Sequence, residues 1–259
     1  MRHPLAFIHP EAKIAENVIV DPFATIEKDV VIGEGTHIYS HAVVMDGARI
    51  GKNCRIFPGA VIAGIPQDLK FHGEESVAII GDNTTIRECA TINRGTESKG
   101  ETRVGSNTLI MAYTHVGHDS VVGNNCIVAN STQIAGEVTI DDFAVIGGAS
   151  AVHQFSKIGC HAMVQGGSLV GKDIPPYVTA GRLPLSFAGL NSIGLRRRGF
   201  SNDTISAIQN IYRIIYQSDL NVSDAIAKVE AEIPQSPERD EILNFIKGSS
   251  RGIIRGYNG

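Results

Sequence analysis

The run HVGHDS, residues 115 to 120, places two histidines three apart, with an aspartate directly after the second. An imidazole can take a proton from a hydroxyl near neutral pH, and a neighbouring carboxylate can hold the ring in one tautomer. Imidazoles also ligate transition metals. His115, His118, His153 and His161 are the candidates for that second chemistry, but no HxH or HExxH spacing joins them. A further cluster is GLRRRGF, where Arg196, Arg197 and Arg198 stand together. Guanidinium forks suit bidentate phosphate contact, and equally a solvated basic face or the docking of an acidic protein. No P-loop and no GxGxxG is present. Cys54, Cys89, Cys126 and Cys160 form no CxxC pair, so neither a disulfide framework nor a cysteine zinc site is expected.

What positions these residues is a repeat. Ile or Val falls at every sixth residue from Ile8 to Ile62, from Ile80 to Ile92, and from Val104 to Val170. Two residues before each stands a small side chain, such as Ala24, Ala60, Thr108, Ser120, Cys54 or Cys126, with Val the largest occupant. A period of six is not helical; it suits a short strand, one inward β-branched residue and a turn. Gly, Asn and Asp in IGEGT, IGKNC and VGNNC supply the turns. Three such units close a triangular coil of 18 residues, and coils stack at roughly 4.8 Å. Residues 1–171 are therefore predicted to form a parallel β-helix of about nine coils. Two breaks in the pattern, near 63–76 and 93–103, predict loops extruded from the coil, and such loops commonly carry function.

Stacking gives HVGHDS a context. Residues 18 apart lie one above another, so Gly136 lies over His118 and Gln154 over Gly136. A base beside a glycine peptide suits acyl transfer: His118 deprotonates a hydroxyl, Asp119 orients the ring, and the Gly136 N–H donates to an oxyanion. A solvated surface turn of the same composition remains open at this point.

KDIPPYV ends the repeat. Residues 172–259 are predicted to form a C-terminal helical domain. It holds a helix capped by Ser201 with Ile205, Ile208, Ile211, Tyr212 and Ile215 on one face, then two shorter helices capped by Ser223 and Ser236. A net charge of -4 argues against general nucleic-acid binding. No apolar run is long enough for a membrane span and no signal-peptide core is visible, so a cytoplasmic location is expected.

IPQDLKFHGE, IRECATINRGT, HVGHDSVVGNNCIVAN, DDFAVIGGASAVHQF, KDIPPYV and GLRRRGFS together give a close resemblance over nearly the whole chain. The chain resembles the acyl-carrier-protein–UDP-N-acetylglucosamine O-acyltransferases, the first enzymes of lipid A biosynthesis. The resemblance implies a left-handed β-helix, a homotrimer and active sites between subunits. It implies transfer of an (R)-3-hydroxyacyl chain from acyl carrier protein to the sugar 3-hydroxyl of UDP-N-acetylglucosamine, with no metal or resident cofactor. By resemblance, His118 is the general base, Asp119 its partner and Gly136 the oxyanion donor. Asp68, Lys70, His115 and Gln154 match residues around the sugar and phosphates. Asn191, Arg197 and Arg198 match nucleotide and phosphate contacts, and Gly166 matches a position that limits acyl length. Glu137 and Ile193 depart from the pattern, standing where the best-known members carry His and an acidic uridine contact.

Four other readings use the same scaffold, the plainest being a non-catalytic structural solenoid. A sister N-acyltransferase usually has an extra N-terminal domain, for which a repeat beginning at Ile8 leaves no room. An acetyltransferase would take acetyl-CoA, and a trimeric zinc hydratase would need metal.

Overall fold

The computed structural model describes residues 1–256. The repeat folds as a left-handed parallel β-helix. Its strands run from β1 (Phe7–Ile8) to β25 (Leu169–Val170) and are mostly two residues long. They form three flat faces. In chain order, β1 starts a nine-stranded sheet, β2 (Lys13–Ile14) an eight-stranded one and β3 (Ile19–Val20) a ten-stranded one. Each residue pairs with its counterpart one coil away, as in Val43 with Val61 and His115 with Gln133.

The inward Ile and Val side chains form one continuous column. Ile26, Ile38, Ile62, Ile92, Val116, Ile134 and Ile146 are fully buried. The small residue before each does more than fit. Thr108 Oγ1 donates to Gly123 O at 2.9 Å and accepts from Cys126 N at 3.1 Å. Ser120 Oγ likewise donates to Ala135 O at 2.9 Å and accepts from Val138 N at 3.1 Å. A hydroxyl at this position therefore bridges two coils where the backbone alone would leave a buried N–H unpaired. That explains why Thr and Ser share the position with Ala.

Most turns close with a left-handed residue three places after the inward one. Asn53, Asn83, Asn107 and Asn125 occupy this position with φ between 53 and 57°, and Asp119 with φ 59°. Asn and Asp tolerate that backbone better than other non-glycine residues.

The two loops lie where the sequence pattern breaks. β10 ends at Gly64 and β11 begins at Val77; β13 ends at Asn93 and β14 begins at Glu101. Val61 pairs with Thr91, 30 residues on, and Thr91 with His115, 24 residues on. Against the usual 18, the insertions are 30 − 18 = 12 and 24 − 18 = 6 residues. Both are multiples of six, so the inward column continues unbroken above them.

Beyond Val170 the chain does not turn helical at once. β26 (Val178–Gly181) joins the third sheet in parallel, and β27 (Ser186–Leu190) pairs antiparallel with it, extending that face. Helix α1 (Ser192–Arg197) follows, then α2 (Asn202–Gln217), α3 (Val222–Glu232) and α4 (Pro237–Lys247). The arginine run thus closes α1, just before α2 begins. Ser201 caps α2, whose buried face is Ile205, Ile208, Ile211, Tyr212 and Ile215. The Tyr212 hydroxyl donates to Pro176 O at 2.6 Å and pins α2 to the end of the prism. Ser236 caps α4. The α3 cap is Asn221 instead of Ser223: its extended backbone lets Oδ1 accept from Asp224 N at 2.9 Å, and Ser223 lies inside the helix.

Ile134 sits in the column one coil above the strand of His115 and is wholly buried. Ile134→Ala is expected to cost about 2–5 kcal/mol in urea denaturation. A loss below about 1 kcal/mol would mean that the column is not a close-packed core.

Candidate active site

His118 lies in the turn between β16 (His115–Val116) on the first sheet and β17 (Val121–Val122) on the second. Its side chain is 12% exposed. Nδ1 stands 2.8 Å from Asp119 Oδ2. A carboxylate accepts, so Nδ1 carries a proton, and in the neutral ring the lone pair is on Nε2.

Asp119 is fully buried and heavily bonded. It accepts from Thr96 Oγ1 at 2.6 Å, Thr96 N at 3.0 Å and Lys99 N at 3.2 Å. Its own N–H donates to Thr102 Oγ1 at 2.8 Å. Burial acts to raise its pKa, but the hydrogen bonds from Thr96 and His118 outweigh burial and hold the carboxyl below its ordinary value. Asp119 therefore stays ionised and fixes both the imidazole and the second loop. Its left-handed backbone turns the side chain back across the corner, which strand geometry alone would not do.

Gly136 lies over His118 as the 18-residue stacking predicts. A Cβ built on Gly136 would stand 2.5 Å from His118 Nε2 and 2.6 Å from Cε1. Only glycine lets the ring lie against this peptide. The Gly136 N–H has no hydrogen-bond partner among the described residues. The equivalent N–H groups at another corner are capped: Ser106 by Asn124 Oδ1 at 2.8 Å, Asn124 by Asp142 Oδ1 at 2.7 Å, Lys52 by Asp82 Oδ1 at 2.7 Å. At Gly136 a donor is left open beside the Nε2 lone pair, the pairing that attack on a carbonyl requires.

The loops complete a cleft of about 410 Å³. Asp68, Lys70, Glu137 and Gln154 line it with Thr96. Asp68 Oδ2 is 3.9 Å from His118 Nε2, and Lys70 is exposed. Glu74 joins the loops, accepting from His72 N at 2.8 Å and Glu97 N at 3.1 Å. His115 is half-buried one position before the inward Val116, with Nδ1 2.8 Å from Thr91 Oγ1. Burial first, and the nearby His118 second, push its pKa down, so it is neutral near pH 7. Among the described residues no three His, Cys, Asp or Glu side chains converge to hold a metal ion.

The remaining candidates are not here. Asn191, Arg197 and Arg198 line a separate groove of about 790 Å³, over Ile127, Val145, Met163 and Thr179 on the third sheet. In a three-sided prism that face lies opposite the corner of His118. Asn191 is largely used internally: Oδ1 accepts from Gly194 N at 3.2 Å as the α1 cap, and Nδ2 donates to His161 O at 2.9 Å. Arg198 Nη2 donates to Phe143 O at 2.8 Å, while Nη1 is buried without a partner. Burial lowers the Arg198 pKa from its ordinary value. Arg197 is exposed. Gly166 stands at a third corner, between the third and first sheets, stacked on Gly148, whose carbonyl oxygen an added Cβ would meet at 3.1 Å.

Thr96, Thr102 and Lys99 are missing from the candidates that spacing supplies. Their signal is faint, because loop residues have no place in the six-residue phase. Only the break in the repeat marks the segment.

Comparison with known proteins bears on this arrangement. A family model described as UDP N-acetylglucosamine O-acyltransferase, domain 2, matches residues 173–254. One for the bacterial transferase hexapeptide matches residues 101–136, and one for the GMPPB C-terminal domain matches residues 3–99. An acyl-[acyl-carrier-protein]–UDP-N-acetylglucosamine O-acyltransferase of Ectopseudomonas mendocina is 47% identical over 253 residues, covering 97% of this chain and 98% of that protein. The chain belongs to this O-acyltransferase family. A UDP-N-acetylglucosamine acyltransferase structure from Bacteroides fragilis is 59% identical, with a TM-score of 0.97 over 98% of this chain and 100% of that one. One from Francisella novicida is 40% identical, with a TM-score of 0.97 over 100% and 95%. In this chain His118, Asp119 and Gly136 share one corner, and Glu137 follows Gly136 directly. Ile193 is 67% exposed on the rim of the groove with Arg197. Glu137 lines the cleft beside Gln154.

Gly136→Ala should drive the His118 ring from its place without unfolding the coil. The expected result is an unchanged circular dichroism spectrum with the imidazole displaced by about 1 Å or more in a crystal structure, since a 2.5 Å contact cannot persist. An undisplaced ring would contradict the close approach.

Proposed function

We propose that this chain transfers an (R)-3-hydroxyacyl group from acyl carrier protein to the 3-hydroxyl of UDP-N-acetylglucosamine, the opening step of lipid A biosynthesis. The observation that carries the reading is the single corner holding His118 Nε2, the Asp119 carboxylate behind it and the uncapped Gly136 N–H in front. His118 takes the proton as the sugar oxygen attacks the thioester carbonyl. The carbonyl oxygen gains charge and is met by the Gly136 N–H. Collapse expels the carrier thiolate, which takes the proton from His118. No acyl-enzyme forms, because both substrates are held together and proximity replaces a covalent relay. The donor brings its own phosphopantetheine arm, so no resident cofactor is needed.

Asp68, Lys70, His115 and Gln154 surround the sugar and its phosphates in this reading. Neutral His115 donates or accepts a hydrogen bond without competing as a base. Asn191, Arg197 and Arg198 contact the nucleotide from a neighbouring copy, because one chain holds them on the face opposite His118. The working unit is then a closed ring of three copies with sites between them. Gly166, away from His118 in its own chain, faces the acyl chain across such an interface and leaves room for a long one. No helix among the described residues is long and apolar enough to cross a membrane. The proposed location is the cytoplasm, where carrier protein and nucleotide sugar meet.

A turnover assay with UDP-N-acetylglucosamine and 3-hydroxyacyl carrier proteins of several lengths tests the reaction. Wild type should form a UDP-sugar ester, and His118→Ala should lose a factor of about 10² to 10⁴ in turnover. Product from acetyl-CoA alone, or near-normal turnover in the variant, overturns the assignment. Mixing tests the shared site. His118→Ala and Arg198→Ala, each impaired alone, should recover about a quarter of wild-type activity after subunit exchange, since random pairing leaves that share of interfaces intact. Absence of any recovery after verified exchange would place the site within one chain.

A further inference from the structure

The corner of His118 contains an ion pair that the acyl-transfer steps above do not use. Glu137 follows Gly136 directly, with its side chain 20% exposed in the same cleft. Its Oε2 is 3.7 Å from Lys99 Nζ, and its Oε1 accepts from Ser98 Oγ at 3.1 Å. Lys99 Nζ also donates to Asp119 O at 2.9 Å, while Lys99 N donates to Asp119 Oδ1 at 3.2 Å. The Glu137 N–H in turn donates to His118 O at 2.9 Å. One lysine in the second loop thus bridges two adjacent coils, through Asp119 on one and Glu137 on the next.

We propose that Lys99 and Glu137 act as a charge clamp, fixing His118 against Gly136 and balancing the charge around its ring and the open donor. The inference rests on the acyl-transfer reading for its kinetic consequence alone. The placement of charge explains the need for a pair. A carboxylate one residue from Gly136 opposes negative charge growing on a carbonyl there, and it favours the imidazolium over the neutral ring. The Lys99 ammonium, 3.7 Å away, offsets both effects.

Other charges bear on the same ring. Asp119 and His115 belong to its own coil, and Asp68 Oδ2 approaches Nε2 at 3.9 Å from the first loop. Lys70 and Glu74 from the first loop and Glu97 from the second also line the cleft. Arg94 opens the second loop and donates to Asp46 O at 3.2 Å. Acidic groups outnumber cations round this corner, so loss of the Lys99 charge is not masked by a neighbouring cation.

The test is the titration of His118, followed by the NMR signal of its imidazole, assigned with His118→Gln. Lys99→Met leaves the Glu137 carboxylate uncompensated and should raise the His118 pKa by about half a pH unit or more. Glu137→Gln keeps an acceptor for Ser98 but removes the charge, and should lower it by a similar amount. The double variant should titrate near wild type. The acid limb of kcat/KM should move with the NMR value in each case, because only the neutral ring accepts a proton. Shifts of the same sign in both single variants, or none, overturn the clamp, since a merely structural role predicts no opposite movement. The NMR reading needs no turnover. A wild type without acyl transfer would sink the proposed reaction and leave the clamp to be decided by titration alone.

Discussion

Everything in this molecule depends on the coil-to-coil register held by the inward Ile and Val column. Short strands have little stability alone, and each here gains its place by stacking on the coil below. The column is fully buried through most of its length, so a slip of one residue would turn every side chain to the wrong face. Because the register is rigid, a residue's height and corner follow from its number. That rigidity lets two backbone corners hold an imidazole and a glycine peptide in van der Waals contact, a closeness that loops on a softer scaffold would not keep.

Function is added where the repeat is interrupted. The two insertions are twelve and six residues long, multiples of the period, and so they leave the column intact. Both fold against the corner of His118. The second is anchored by Asp119, whose carboxylate accepts from Thr96 and Lys99 while holding the His118 ring. The same carboxylate thus orders a loop and selects a tautomer. Coupling these tasks means that disorder in the loop and loss of the base are not separable events.

The opposite face tells a different story. Asn191 and Arg198 spend much of their bonding capacity inside the chain, on the α1 cap and on Phe143. What they leave for a ligand is one buried guanidinium nitrogen, with exposed Arg197 beside it. A prism keeps its faces apart, so residues far from His118 in one copy meet it only across an interface. This is the physical reason that a three-sided solenoid favours sites built between copies.

The sequence by itself determined the prism, its coil count, the two loop positions and the stacking of His118, Gly136 and Gln154. It did so because a six-residue period links number to height and face. It also marked the buried face of α2, where the spacing of Ile205 to Ile215 is helical. It did not determine β26 and β27, which lack the repeat and gain their strand character from the open edge of the third sheet. The α3 cap went to Asn221 over Ser223, a choice made by backbone angles that composition does not encode. Only the tertiary structure brought Thr96 and Lys99 to the corner of Asp119 and His118 and paired Lys99 with Glu137, and only it separated the arginine cluster onto the far face. Loop residues and faces of a solid have no periodic signature; they are decided when side chains compete in space for the same donors and charges.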